Sequence, residues 1–155
     1  MGKSVLISIN PVWCNLIANG EKTLEIRKNK PRQDVPFKCY IYCTKAHGRN
    51  PLELLELHRD DGKIVQMNGK IIGEFICDSI TEFSVPYPAY QEELPENILK
   101  ESCLRYIALH RYALISNDCN LFAWHISDLK IYDEPKNLDE FGSTRPPQSW
   151  GYVNE

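Results

Sequence analysis

The chain has 155 residues, 43% of them hydrophobic and 25% charged, with a formal net charge of −3. A chain of this length can bury a core without disulfides or metals, and we expect one domain over residues 1–155. No apolar run approaches the roughly 20 residues that span a bilayer, and the first residues do not resemble a secretory signal. The sequence therefore predicts a cytoplasmic protein with no membrane partner.

The first thirty residues predict a strand, a helix and a second strand. Residues 4–9 form a short β-branched run, which indicates a strand. Asn10-Pro11 is a helix start, and Gly20 ends the helix after two turns with one apolar face. Residues 23–28 return as a strand, and alternation places Glu25 and Arg27 on the same face.

Further along the chain, β-branched and aromatic runs predict more strands. Asn50-Pro51 indicates a helix over residues 52–58, and Asn68-Gly69 indicates a hairpin turn that joins a strand over residues 63–67 to the strand over residues 70–83. Residues 85–95 are proline-rich and predict a loop, followed by a helical segment over residues 96–115 in two pieces. The predicted strands are residues 37–43, 63–67, 70–83, 121–132 (bent near Ser127-Asp128) and 149–153.

Short strands interrupted by helices predict an α+β fold, specifically a small β-barrel with flanking helices and a helical insertion. The long strand over residues 70–83 alternates poorly. It places Ile72, Glu74, Ile76 and Asp78 on one face, and such a mixed face is typical of a barrel strand with a polar mouth.

Residues 22–32 carry five basic side chains and one acidic side chain, a local charge of +4, so the rest of the chain sums to −7. A basic patch on an acidic protein points to an anionic ligand in a confined site. Arg27 offers a planar fork for phosphate or a base edge, and Lys22 offers a point charge. Glu25 either accepts from an exocyclic amine or holds Arg27 in place. The structural alternative is an ion-pair network on a strand face.

Aromatic residues supply stacking surfaces for single-stranded nucleic acid. Tyr42 and Trp150 are our candidates, whereas Trp13 and Trp124 are more typical of core packing. Gln148 and Ser149 add hydrogen-bonding groups beside Trp150, and we expect this segment to line the cleft.

The six cysteines include no C-x-x-C pair, which favours buried free thiols in a reducing compartment. Cys39, Cys43 and His47 are spaced four apart, but on a strand the two cysteines lie too far apart to bind one ion. We predict no metal and no cofactor.

The motif G-x-K-x-x-E-x-R, formed by Gly20, Lys22, Glu25 and Arg27, resembles that of the ASCH domain family. The segments SINPVWCNLIANGEKTLEIRKNKP, AWHISDLKIYDEP and RPPQSWGYV resemble the family's opening and closing strands. The resemblance implies a PUA-like barrel with a cleft between the first helix, the motif strand and one rim. Some family members resemble amidohydrolases acting on acetylated cytidine through a lysine and a threonine, and Glu25 replaces that threonine here. Another branch is reported to have nuclease activity.

Three hypotheses follow. The leading one is a module that binds single-stranded RNA or a nucleotide in a basic cleft around Lys22, Glu25 and Arg27, with affinity that falls with salt and on Arg27→Ala. The second is a hydrolase acting on RNA or a modified nucleoside, a ribonuclease or an amidohydrolase, in which Lys22 and Glu25 are catalytic acid–base groups. The third, a module with a protein partner, rests on fold analogy alone. The ligand and the oligomeric state stay open.

Overall fold

The computed structural model describes residues 1–46, 53–85, 94–114 and 119–153. The described part of the chain forms eight strands and three α-helices, which confirms the predicted α+β class. No helix in this part is long and apolar enough to cross a membrane. The elements are β1 (Val5–Ile9), α1 (Pro11–Ala18), β2 (Leu24–Arg27), β3 (Phe37–Cys43), β4 (Glu56–His58), β5 (Ile64–Gln66), β6 (Lys70–Ser84), α2 (Asn97–Ser102), α3 (Tyr106–Leu114), β7 (Asn120–Lys136) and β8 (Trp150–Tyr152).

Six strands form one curled, half-barrel sheet in the order β2-β7-β6-β3-β1-β8. β1 and β3 are parallel, and the other neighbouring pairs are antiparallel. The two long strands β6 and β7 pair along most of their length with three shifts of register. One shift lies opposite Asp128, whose φ of 48° is left-handed, and this confirms the predicted bend near Ser127-Asp128. Such irregularities bend and twist a sheet, which lets it curl.

Three hydrophobic clusters form the core of the described residues, and two of them lie next to the candidate site. The larger cluster joins β1, α1, β3, β6 and β7, and at its centre the Phe37 and Trp124 rings meet edge to face at 5.8 Å. The second cluster packs the helical insertion against β2 and β7, with Ile98 and Leu109 against Leu24. The predicted helical insertion in two pieces is therefore confirmed as α2 and α3. β2 lies between the clusters, and this position determines where its polar side chains go.

One predicted helix and one predicted strand pairing in the middle of the chain are wrong. Of the helix predicted over residues 52–58, residue 52 lies outside the described part, residue 53 is in a 3-10 turn, and the segment continues without a helix into β4. The strand that precedes the Asn68-Gly69 turn pairs with β4 and not with β6, so β4 and β5 form a separate two-stranded sheet. A three-residue strand depends on its partner, and local sequence pattern does not identify that partner.

The structure also changes the prediction for two smaller features. In β6, Ile72 is buried in the larger cluster while Glu74 and Ile76 are half-buried, because the register shifts between Ile71 and Gly73. Most of the predicted loop over residues 85–95 lies outside the described part of the chain. All six cysteines are free thiols; Cys103 and Cys119 are half-buried and the other four are buried.

Candidate functional site

The site begins where α1 ends and the chain turns toward β2. Gly20 adopts a φ of +83°, a left-handed value that suits glycine and ends the helix as predicted. The backbone N–H of Lys22 then donates to the carbonyl of Leu16 at 3.0 Å. The Lys22 Nζ donates to the carbonyl of Ser102, at the end of α2, at 2.7 Å. The turn and α2 together hold the ammonium group in the interior, where Lys22 is only 3% exposed.

β2 presents its polar side chains on the face opposite Leu24 and Ile26, as the alternation predicted. Leu24 and Ile26 pack against the helical insertion, whereas Glu25 and Arg27 point away from that cluster. Glu25 is 7% exposed and Arg27 is 9% exposed, so both faces of the strand are buried. The three motif side chains therefore form a buried ionic cluster, and the solvated basic patch expected around them is limited to the residues that follow β2.

The Arg27 guanidinium links elements that are far apart in the sequence. One terminal nitrogen donates to the Ser8 carbonyl on β1 at 2.7 Å. The other donates to the Ser149 hydroxyl at 3.1 Å and lies 3.4 Å from the Ser149 carbonyl. Ser8 itself receives further support, because its hydroxyl donates to the Pro147 carbonyl at 2.6 Å. Arg27 thus fixes the segment before β8 against β1, and its donors are largely used within the protein.

Glu25 lies between the two cations. Its Oε1 is 3.3 Å from the Arg27 Nε, and its Oε2 is 3.8 Å from the Lys22 Nζ. Within the described residues, neither Glu25 Oε2 nor Arg27 Nε has a hydrogen-bond partner, although both atoms are buried. Buried polar atoms in folded proteins are nearly always hydrogen-bonded, so the lack of a hydrogen-bond partner at Glu25 Oε2 and Arg27 Nε is a distinctive feature of this cluster. Two cations and one carboxylate give the cluster a net charge of +1.

Burial lowers the pKa of Lys22, because desolvation disfavours the charged ammonium, while the nearby carboxylate of Glu25 opposes the shift. The ammonium also lies 5.2 Å from the centre of the Trp13 ring, within the range of a cation–π contact. Lys22 is consequently held by a carbonyl, a carboxylate and an aromatic ring. Such a lysine can serve as a fixed cation or, when neutral, as a base.

The cluster lines an open cleft of about 380 Å³ between α1, β2 and α3. Its aromatic surfaces are Trp13 from α1 and Tyr112 from α3. Tyr112 lies 4.8 Å from the Lys28 ammonium, and burial raises the pKa of its hydroxyl, which therefore stays protonated near neutral pH. The lining residues are Ser8, Ile9, Asn10, Trp13, Lys22, Glu25, Ile26, Arg27, Thr44, Leu104, Ala108, Tyr112 and Gln148.

The other predicted site residues lie at different distances from this cleft. Gln148 is exposed on the rim of the cleft. Ser149 does not line the cleft, and its hydroxyl accepts a hydrogen bond from the Arg27 guanidinium. The half-buried Trp150 ring packs 5.9 Å from Trp124, and its indole N–H donates to Asn29 at 2.7 Å, so it does not line the cleft. Tyr42 is only 3% exposed, packs in a cluster with Leu6 and Tyr132, and is not among the residues that line the cleft. These placements leave Trp13 and Tyr112 as the aromatic surfaces of the cleft.

Sequence reasoning missed several residues that complete the site. Tyr112 and the Ser102 carbonyl come from the helical insertion, which carries no motif that links it to β2. Ser8 lies near the end of β1 and Thr44 directly follows β3, and both look like ordinary strand-end residues in the sequence. The described residues hold no group of three or more histidine, cysteine or acidic side chains that could bind a metal ion. His47, the third member of the cysteine–histidine spacing, lies outside the described residues.

Comparison with solved structures identifies the fold. The crystal structure of ASCH from Zymomonas mobilis matches with a TM-score of 0.67 and 20% sequence identity, covering 99% of this chain and 89% of that chain. Two mutants of that protein match with TM-scores of 0.67 and 0.68, again at 20% identity. No family model and no curated protein sequence matches this chain. The chain therefore has the same fold as the Zymomonas mobilis ASCH protein.

Proposed function

We propose that this protein binds a nucleotide, free or as one unit of single-stranded RNA, in the cleft lined by Lys22, Glu25 and Arg27. The observation that carries the proposal is the buried Glu25 Oε2, which lies beside two cations and has no hydrogen-bond partner among the described residues. A carboxylate in this setting accepts a hydrogen bond from an exocyclic amine, such as that of cytosine. The net charge of +1 around it favours a ligand that also carries a negative charge.

The cleft surfaces support a base as the bound group. Trp13 and Tyr112 offer aromatic faces, and base–aromatic stacking contributes about 1–3 kcal/mol per base. The volume of about 380 Å³ suits one nucleotide unit. The net charge of −3 on the whole chain disfavours broad, non-specific contact with nucleic acid, which agrees with a confined site.

The roles of the three motif residues differ in this proposal. Glu25 contacts the exocyclic amine, and Lys22 supplies the positive charge near the base. Arg27 acts as a positioning residue, because its terminal nitrogens are bonded to Ser8 and Ser149 and its Nε faces Glu25. Loss of binding on Arg27→Ala would therefore mix a ligand effect with a folding effect, and Glu25 is the better residue to test.

The test compares cytidine 5′-monophosphate with uridine 5′-monophosphate by calorimetric titration of the wild type and of Glu25→Gln. Because glutamine lacks the charged acceptor and can donate to a carbonyl, we expect the preference for cytidine over uridine to fall by about tenfold, or about 1.4 kcal/mol. Glu82→Gln, an exposed glutamate on β6, is the matched control and should change nothing. Unchanged discrimination in Glu25→Gln, or no binding of either nucleotide to the wild type, would overturn the proposal.

A second candidate is a hydrolase that uses the same cleft, and the lowered pKa of Lys22 favours it. Enzymes use buried lysines with lowered pKa values as bases or nucleophiles. The Lys22 Nζ lies 3.8 Å from the Glu25 Oε2, and a small movement would bring the two groups close enough to exchange a proton. Turnover of 4-acetylcytidine or of a labelled RNA, abolished by Lys22→Ala and by Glu25→Gln, would establish the enzyme. Binding of these compounds without turnover would exclude the hydrolase and support the binding module.

A further inference from the structure

A second hollow of about 300 Å³ adjoins the cleft. Four residues line both spaces: Ser8, Asn10, Thr44 and Gln148. The Thr44 hydroxyl donates to the Asn10 side-chain oxygen at 3.3 Å, which connects the ends of β1 and β3 in this shared wall. The cleft and the second hollow therefore adjoin each other along this shared wall, and we call the two spaces together the groove. Together they offer more space than one nucleotide unit requires.

The second hollow has its own chemistry. Its charged lining residue is Lys45, and no carboxylate lines it among the residues that the structure describes. The Lys45 stem lies across Gly69, where a Cβ atom would come within 3.2 Å of the Lys45 Cγ, so a side chain at position 69 would displace the lysine. Pro146 and Pro147 form an apolar wall, and the buried Tyr42 closes one side. A cation beside an apolar wall suits a phosphate joined to a base or sugar.

The charges of the whole groove agree with a ligand that has two phosphates. Lys22, Arg27 and Lys45 against Glu25 give a net charge of +2, whereas the cleft alone carries +1. The shared wall adds neutral hydrogen-bonding groups from Asn10 and Gln148. Side-chain amides and hydroxyls of this kind contact sugar hydroxyls and phosphate oxygens in protein complexes with RNA.

We infer that the groove takes two consecutive nucleotides of a single-stranded RNA, one base in the cleft and the neighbouring unit in the second hollow, with Lys45 on the phosphate of that unit. This inference rests on the proposed function and narrows its ligand from a nucleotide to an oligonucleotide. Tyr42 and Gln148, which sequence reasoning assigned to the binding site, line the second hollow in this arrangement.

The experiment titrates cytidine 5′-monophosphate and the 5′-phosphorylated cytidine dinucleotide into the wild type, Lys45→Met and Lys63→Met. Lys63 is an exposed lysine outside both spaces and is the matched control. We expect the wild type to bind the dinucleotide about tenfold more tightly than the mononucleotide. Lys45→Met should remove most of that gain, leave mononucleotide affinity unchanged, and lower the salt slope for the dinucleotide by about 0.7.

Amide chemical shifts locate the second unit independently. The dinucleotide should shift the amides of Lys45 and Thr44 beyond the changes that the mononucleotide produces, and Lys63→Met should behave as the wild type. If both ligands bind the wild type equally, or if Lys45→Met weakens both equally, the second subsite is overturned while the nucleotide site stands. If neither ligand binds the wild type, the proposed function fails and this inference fails with it. The mononucleotide titration therefore distinguishes the two failures.

Discussion

Replacing Arg27 by methionine should destabilise the protein far more than a typical surface substitution. The change removes two hydrogen bonds of a charged donor, to the Ser8 carbonyl at 2.7 Å and to the Ser149 hydroxyl at 3.1 Å. It also leaves Glu25 buried beside Lys22 alone. Hydrogen bonds to charged groups contribute about 1.5–3 kcal/mol each, and breaking a buried ion pair by removing one partner costs about 3–5 kcal/mol.

These effects overlap, and we expect a loss of about 3–5 kcal/mol in the free energy of unfolding. At about 2–4 °C per kcal/mol for a chain of this size, the melting temperature should fall by about 6–20 °C. Urea unfolding followed by circular dichroism measures the first quantity, and calorimetry measures the second. Arg32→Met, at an exposed position five residues along, should stay within about 0.5 kcal/mol of the wild type.

The double variant Arg27→Met/Glu25→Gln separates the ionic effect from the packing effect. Because glutamine carries no charge to leave uncompensated, the double variant should lose less stability than the sum of the two single changes. Strict additivity, or an Arg27→Met variant as stable as Arg32→Met, would refute the view that this cluster is a coupled, buried structural unit.

Three further predictions concern other parts of the molecule. Because burial lowers the pKa of Lys22, the ammonium loses its proton at a lower pH in the folded state than in the unfolded state. The free energy of unfolding of the wild type, relative to that of Lys22→Met, should therefore rise with pH toward 10.5. A difference in urea midpoint between the two proteins that stays constant from pH 7 to 10.5 would contradict this prediction. A Cβ atom at Gly73 would clash with the Lys130 carbonyl oxygen, so Gly73→Ala should lower the free energy of unfolding in urea by about 1–3 kcal/mol. Gly151→Ala is the control and should be nearly neutral, because its Cβ atom would meet only Pro147, at 3.8 Å. Burial raises the pKa of Cys77 to about 12, and Cys14, Cys39 and Cys43 are also buried, so a thiol reagent at pH 8 should label Cys103 and Cys119 first; rapid labelling of all six in the folded protein would be inconsistent with this core.

Local sequence pattern predicted the elements whose hydrophobic period is unambiguous. The first strand, α1, β2 and β3 agree with the structure to within a residue or two. The segment before β4 was predicted as a helix, because Leu54 and Leu55 fit one face of a helix. In the structure, Leu55 and Leu57 are half-buried while Leu54 is exposed, which is the alternation of an extended chain. That signal is present in the sequence, but it is too short to outweigh the helix start at Asn50-Pro51.

The sequence predicted which motif residues form the candidate site, but it did not predict that their side chains are buried. Alternation correctly placed Glu25 and Arg27 on one face of β2, and the turn at Gly20 brought Lys22 beside them. Their burial depends on contacts that no local pattern encodes. Ser102 lies 80 positions from Lys22, and Ser149 lies 122 positions from Arg27. A side chain is buried or exposed according to such distant neighbours, and one sequence alone does not reveal them.

The link between Arg27 and Ser149 has a consequence for the order in which the protein can mature. During synthesis, β1, α1 and β2 leave the ribosome long before residue 149 is made. Until then, part of the Arg27 guanidinium has no partner from the segment before β8, and the wall of the cleft near Pro147 and Gln148 is missing. A nascent chain therefore cannot present a finished ligand site. Under the proposed function, nucleotide recognition requires the completed fold, and a bound nucleotide would report that the distant parts of the chain have docked.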